Sequence, residues 1–258
     1  MKVVILCGGK GTRLKEKTES IPKPLIDIGG RPILWHIMKV YSSFGFDDFI
    51  LCLGYKGQAI KEYFMQYASW KHQDFKLDLS AREPGIDLIN HDCEKWKITF
   101  VDTGLDTNTG GRIKRVASLI NPSESFMVTY GDGLADIDIN QLVSFHHAHE
   151  KIGTVTIVKP QLQFGLLDID ERGKVTRFTE KPILDRWING GFFVFRPEFL
   201  EMLRDGDVLE QTPLERLAAD NQLMAFRHES YWKCMDTFKD SELLNEQWVK
   251  NDAPWKTW

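Results

Sequence analysis

Val3-Val4-Ile5-Leu6-Cys7-Gly8-Gly9-Lys10-Gly11-Thr12-Arg13 is the most informative stretch of this chain. Its first five residues are an unbroken apolar, largely β-branched run, the pattern of a strand covered on both faces in a parallel sheet. Glycines and cations then end the strand abruptly. In an open α/β sheet, ligands bind beyond the carboxyl ends of the strands. Glycines there let backbone N–H groups approach phosphate oxygens that a Cβ would hold away. Arg13 adds a planar fork of donors suited to phosphate, and Lys10 a mobile point charge. The stretch is not a Walker loop, because no Gly-Lys-Ser/Thr ending follows, and its glycine spacing is not the dinucleotide fingerprint.

Strand and helix patterns alternate downstream. Ile33, Leu34, Ile37, Met38, Tyr41 and Phe44 follow Pro32 at helical spacing. Phe49 to Leu53 reads as a second buried strand, and residues 58–70 as a helix with Ile60, Tyr63, Phe64 and Tyr67 on one face. Residues 81–97 are polar and mixed in charge, which reads as a functional or oligomer-forming loop. Strands are expected at 98–101, 126–130 and 154–158, with helices at 113–120 and about 140–151, Asp138 standing as the cap of the latter. This order predicts an α/β fold, a Rossmann-like, mostly parallel sheet flanked by helices. A hairpin at 166–169 and 175–178, a strand at 192–195 and helices at 214–219 and 240–249 follow. No linker or repeat divides the chain. It reads as one domain over 1–258, with a nucleotide-binding half over about 1–158 and a smaller lobe over 159–258.

Composition narrows the function. With 42% hydrophobic and 27% charged residues the chain can bury a substantial core. A net charge of −4 lacks the basic field of a nucleic-acid binder. No apolar run approaches the ~20 residues of a bilayer span, so no membrane partner is expected. The apolar opening is too short for a signal peptide core. Cys7, Cys52, Cys93 and Cys234 have no paired spacing, so neither a zinc site nor a disulfide framework is expected, and the cytoplasm is the natural compartment. His146, His147, His149 and Glu150 read as a solvated helix face rather than a metal site. The eight tryptophans read as core and interface residues.

Ten residues beyond Arg13, Pro22-Lys23-Pro24 places a lysine between prolines, which are expected to hold its backbone extended and its ammonium aimed. Together with Leu6 to Leu14, this segment resembles the signature of the sugar-phosphate nucleotidylyltransferases. The resemblance runs nearly end to end and is nearest to the glucose-1-phosphate cytidylyltransferase branch. It is carried by Asp102-Thr103-Gly104, Thr109-Gly110-Gly111-Arg112, Tyr130-Gly131-Asp132-Gly133, Glu180-Lys181-Pro182, Asn189-Gly190-Gly191-Phe192, Met235-Asp236-Thr237 and the terminal Ala253-Pro254-Trp255-Lys256-Thr257-Trp258.

The resemblance implies a fold of the nucleotide-diphospho-sugar transferase type, with the smaller lobe binding sugar. It implies attack by a sugar 1-phosphate, α-D-glucose 1-phosphate in this branch, on the α-phosphorus of CTP with Mg²⁺, releasing pyrophosphate. Arg13, Lys23 and Asp132 would be catalytic. Leu6, Cys7, Gly8, Gly9, Lys10, Gly11, Thr12, Arg13, Lys23, Thr107, Gly111, Arg112 and Gly131 would bind the nucleotide. Glu180, Lys181, Asn189 and Gly190 would bind the sugar phosphate, and Asp132 and Asp236 the metal. Homo-oligomers are implied, with the tryptophan-rich tail and residues 81–97 as candidate contacts. Gln163 stands where this branch commonly has arginine, and Ile183-Leu184-Asp185-Arg186 where it has a Lys-Gly loop. Another nucleoside triphosphate or acceptor therefore stays open, as does a nucleotide-sugar-binding regulatory module without turnover.

Overall fold

The structure, a computed structural model, describes residues 1–14, 18, 20–67, 74–80, 85–89, 94–162 and 164–258. In chain order the strands are β1 (Val3–Leu6), β2 (Asp27–Ile28), β3 (Arg31–Pro32), β4 (Asp48–Leu53), β5 (Phe75–Asp78), β6 (Gly85–Leu88), β7 (Lys97–Asp102) and β8 (Phe126–Tyr130). They continue with β9 (Gly133–Ala135), β10 (Gly153–Val158), β11 (Leu166–Ile169), β12 (Val175–Thr179), β13 (Ile188–Phe195), β14 (Leu223–Arg227) and β15 (Trp232–Cys234). The helices are α1 (Ile33–Ser42), α2 (Gly57–Tyr67), α3 (Thr109–Arg115), α4 (Ile139–His149), α5 (Glu198–Met202), α6 (Thr212–Ala219) and α7 (Phe238–Val249).

Seven strands form the central sheet in the order β14-β10-β13-β8-β1-β4-β7. β1 lies parallel between β8 and β4, and β4 is parallel to β7. This is the parallel alternation expected from the sequence. Only β13 runs antiparallel, to both β8 and β10. The residues after 158 thus add β13 and β14 to the same sheet that β1 nucleates.

Side chains alternate across each strand. Val3 and Ile5 pack on one face with α1, α4, α7 and the tail, through residues such as Ile37, Leu142, Leu244 and Trp255. Val4 and Leu6 pack on the other, with Ile113, Phe199 and Leu217 of α3, α5 and α6. That double cover explains the unbroken apolar run in β1.

Four local expectations are revised. Residues 85–88 form strand β6, paired antiparallel with β5, rather than loop, while 81–84 and 90–93 lie outside the described residues. Helix α3 begins at Thr109, four residues early, and the chain continues after it in a 3₁₀ turn, Ala117–Leu119. Only Pro22 is extended (φ −70°, ψ 148°). Lys23–Leu25 is itself a 3₁₀ turn, because Leu25 and Ile26 donate to the carbonyls of Pro22 and Lys23. The tail is not a free contact surface at Trp255, which is 0% exposed inside its own chain and donates to His36 Nδ1 at 3.3 Å.

That last bond fixes the His36 tautomer. Its Nδ1 accepts, so Nε2 carries the hydrogen and donates to the Ile28 carbonyl at 2.8 Å. Asp138 caps α4 as read, accepting from the Gln141 amide. His146 is 0% exposed rather than on the solvated face expected of it, and it and His149 each spend a ring nitrogen on the Thr154 hydroxyl, at 2.8 and 2.7 Å. The hairpin β11–β12 exposes apolar side chains, with Ile169 at 67% and Phe178 at 61%. Among the described residues no helix is long and apolar enough to cross a membrane.

Two measurements check this packing. Trp255→Ala is expected to lower the unfolding free energy by roughly 3–5 kcal/mol, read from denaturant titration. Burial lowers His36 to about 4 and His146 to about 3, so both are neutral in the folded protein at neutral pH. The unfolded chain binds their protons first, from about pH 6.5 downward. Each therefore contributes stability that is complete above pH 6.5 and is lost as pH falls toward 4. The expected slope is about 1.4 kcal/mol per pH unit for each ring, and His146→Asn should flatten it.

Candidate functional site

A cavity of about 400 Å³ opens at the carboxyl ends of β1 and β8. Leu6, Cys7, Gly8, Gly9, Gly11 and Thr12 line one side of it, and Thr107, Asn108, Thr109 and Arg112 another. Tyr130, Gly131 and Asp132 follow β8 into it, joined by Lys23, Pro24, Val208, Glu210 and Asp236.

The charged end is built around Lys23. Its ammonium donates to Asp132 Oδ2 at 2.7 Å and to Asp236 Oδ1 at 2.8 Å, and its side chain is 12% exposed. Burial works against the ammonium, but the charge and hydrogen bond of Asp132, then the bond from Asp236, outweigh it and raise the lysine above its usual value. Each partner is held by backbone structure. Asp132 lies between β8 and β9, and its carbonyl accepts from the Met235 amide at 2.9 Å. Asp236 directly precedes α7, whose Thr237–Asp240 capping box fixes that end. The Asp236 amide also donates to Asp240 Oδ2 at 3.1 Å.

The two carboxylates also stand close to a thiol. Asp132, Cys234 and Asp236 offer ligand atoms within 4.8 Å of one another. Two carboxylates converging on one cation, partly exposed beside a cavity, suit a hard divalent ion that keeps waters and phosphate oxygens as its other ligands. The pair expected from the sequence fits Mg²⁺.

The opposite end is braced by Arg112, 4% exposed. Its guanidinium donates to the carbonyls of Leu53, Gly104, Leu105 and Gly8 and to the Thr103 hydroxyl, at 2.7 to 3.3 Å. Among the described residues no carboxylate pairs with it, and burial lowers its pKa. A Cβ on Gly8 would stand 2.1 Å from the Arg112 Cζ. Gly8 is therefore a glycine because a guanidinium lies flat against it, a different reason from phosphate approach. Arg115 donates to Thr107 Oγ1 at 2.8 Å and so orients a cavity-lining hydroxyl.

Most of the residues anticipated for the nucleotide line this cavity, and two of them, Lys10 and Gly111, do not. Lys10 does not line the cavity and pairs with Asp106 at 2.8 Å. Gly111 packs instead against the backbone of Asp205, where a Cβ would meet a carbonyl at 2.2 Å. The Arg13 side chain and Gln163 lie outside the described residues. Glu180, Lys181, Asn189 and Gly190 do not line this cavity. Glu180 and Lys181 form an exposed pair at 3.4 Å. Gly190 offers its carbonyl to Trp232 Nε1. Asn189 reaches the cavity wall indirectly, donating to the Tyr130 hydroxyl at 3.1 Å.

Reading the sequence missed Glu210. Its two oxygens accept from the Tyr130 hydroxyl at 2.6 Å and from Thr109 Oγ1 at 2.8 Å. Burial first, then Glu210, raises the Tyr130 phenol, which stays protonated. Nothing near Glu210 in the sequence marks it, since its partners lie 80 and 101 residues away.

Comparison with known proteins identifies the family. The profile of the family described as nucleotidyl transferase matches residues 2–244. The chain is 48% identical over 260 residues to the glucose-1-phosphate cytidylyltransferase of Salmonella typhi, covering 100% of both chains. It is 47% identical, again covering 100% of both, to the probable glucose-1-phosphate cytidylyltransferase of Bacillus subtilis (strain 168). Among solved structures, HddC from Yersinia pseudotuberculosis superposes with a TM-score of 0.70 at 25% identity, covering 96% of this chain and 99% of that one. The chain belongs to the nucleotidyl transferase family, alongside the glucose-1-phosphate cytidylyltransferases.

Proposed function

We propose that the chain transfers a cytidylyl group from CTP to α-D-glucose 1-phosphate, giving CDP-glucose and pyrophosphate by in-line displacement with Mg²⁺. The observation that carries this reading is the Lys23 ammonium, held by two carboxylates at the charged end of a cavity lined by a glycine-rich loop. The named activities of relatives 47–48% identical over the whole chain support the choice of substrates.

The transfer needs charge neutralisation and alignment more than covalent help. The base and ribose occupy the end formed by Leu6, Gly8 and Thr107 to Thr109, where Arg112 supplies positive potential without offering its donors. The Gly8 to Arg13 loop receives the β- and γ-phosphates, and Arg13 neutralises the departing pyrophosphate. Lys23 turns from its carboxylates to the α-phosphate, where charge grows in the transition state. Asp132 and Asp236 would hold Mg²⁺, which when bound would supply neutralisation of phosphate charge. Asn189 and Gly190 position the acceptor beside Tyr130, while Glu180 and Lys181 bind its hydroxyls and phosphate. No residue is needed as a nucleophile. Burial keeps Cys7 a neutral thiol, so it serves as a small apolar wall.

The exposed apolar side chains of the β11–β12 hairpin support assembly with further copies of the chain. Cys7, Cys52 and Cys234 are free thiols, which supports a cytoplasmic setting.

A panel of nucleoside triphosphates against sugar 1-phosphates, scored by pyrophosphate release, should give its highest kcat/KM with CTP and glucose 1-phosphate. Turnover with another triphosphate and none with CTP rejects the cytidylyl assignment. Asp132→Asn should abolish Mg²⁺-dependent turnover while leaving the thermal unfolding midpoint near that of the parent, and undiminished activity removes Asp132 from its role. Lys23→Met should lower kcat roughly a hundred- to a thousandfold with little change in the KM for glucose 1-phosphate.

A further inference from the structure

Cys234 takes no part in the transfer reaction, yet it stands beside the residues that do. It ends β15, where the pairing Cys234↔Gly133 sets it next to Asp132 across the ladder. Along the chain it is two residues from Asp236, and alternation in extended backbone puts both on the face opposite Met235. Met235 is 0% exposed and its amide is bonded to the Asp132 carbonyl, so this arrangement is fixed by the core. The thiol is free and only partly buried. Its sulfur and one oxygen from each aspartate lie within 4.8 Å of one another. A cation already sits here, since the Lys23 ammonium bonds to both carboxylates.

We propose that Asp132, Cys234 and Asp236 form a three-donor site for a thiophilic divalent cation of the zinc class, entered by exchange with the Lys23 ammonium. This rests on the reading of Asp132 and Asp236 as the ion-holding pair. Two carboxylates alone favour hard ions such as Mg²⁺, and a thiolate added to them shifts preference toward zinc and cobalt. Zinc holds sulfur at about 2.3 Å and carboxylate oxygen at about 2.0–2.2 Å, so the three donors close in on the ion as Lys23 leaves. The S–H bond is exchanged for a sulfur–metal bond and the proton goes to solvent. An ion bound in this way occupies the place of Mg²⁺, and zinc is therefore an inhibitor that competes with magnesium.

Cobalt(II) titration of the full-length chain tests this by absorption. The parent protein and Cys93→Ser should both develop a thiolate-to-cobalt charge-transfer band in the near ultraviolet that excess Mg²⁺ suppresses. Cys234→Ser and Cys234→Ala should lack the band and bind cobalt roughly tenfold or more weakly in equilibrium dialysis. Cobalt bound without the band, or a band that survives in both Cys234 variants, overturns the thiol as a ligand and leaves the carboxylate pair standing. A band that Mg²⁺ cannot suppress overturns the shared location. If no cobalt binds at all, the carboxylate pair falls with the proposal.

Discussion

The Lys23 ammonium lies between Asp132 and Asp236, and it joins segments 109 and 213 residues apart in the chain. Two carboxylates brought this close repel, and each partly loses its hydration, so the arrangement is no gift to stability on its own. The fold nevertheless enforces it. β8 and β9 fix Asp132, the β9–β15 ladder and the α7 capping box fix Asp236, and Met235 anchors the two together through the core. A pair held in this way needs a cation, which the Lys23 ammonium supplies. Under the proposed transfer a divalent ion admitted between the carboxylates would free Lys23 for the α-phosphate, so that filling the ion site and delivering the lysine would be one event.

Arg112 makes the complementary arrangement at the other end. A guanidinium with five neutral acceptors and, among the described residues, no carboxylate in ion-pair contact is a positive charge under a cavity lining. Its burial lowers its pKa without approaching neutrality, since arginine stays protonated in proteins. The carbonyls of Gly8, Leu53, Gly104 and Leu105 are drawn inward onto it. The Gly8 carbonyl accepts from both Arg112 and the Tyr55 amide, so the first residue of the glycine-rich loop is held from below. The brace and the loop are thus one unit, and Gly8 is the place where they touch.

The sequence revealed most where signals were local. The apolar run of β1, the helical spacing after Pro32 and the Asp138 cap each depend on near neighbours, and each formed as read. Residues 85–88 were misread because a strand of a peripheral hairpin, unlike a central one, need not be apolar. The pairing of β9 with β15 involves two three-residue strands about a hundred residues apart, too short for any periodicity to show. Glu210 was invisible for the same reason. Arg112 lines the cavity expected from the sequence, but its donors are directed to carbonyls that only the tertiary fold brings together. The tryptophans were legible only as core or interface residues, and the fold assigns Trp255 to the core, against His36.

The wall between the two halves carries the remaining logic of the site. Thr109 opens α3 in the first half, Tyr130 ends β8, Glu210 comes from the second half, and Asn189 begins the antiparallel strand β13. Their side chains form one continuous hydrogen-bonded row, Thr109 to Glu210 to Tyr130 to Asn189. Within it each group has a fixed role, because Glu210 can only accept and the Tyr130 phenol must therefore donate to it and accept from Asn189. Asn189 is locked in turn by the Gly191 amide, which donates to its Oδ1 at 2.8 Å. Phe192, which follows, is fully buried with φ at +49°, a strained backbone state that persists only where the surrounding structure over-determines it. The strain falls where β13 shifts register against β10, between Asn189 and Phe193, so the bulge turns Asn189 toward Tyr130. A distortion of β13 therefore lies beside a hydrogen bond on the wall of the cavity, and that bond ties the start of β13 to the end of β8.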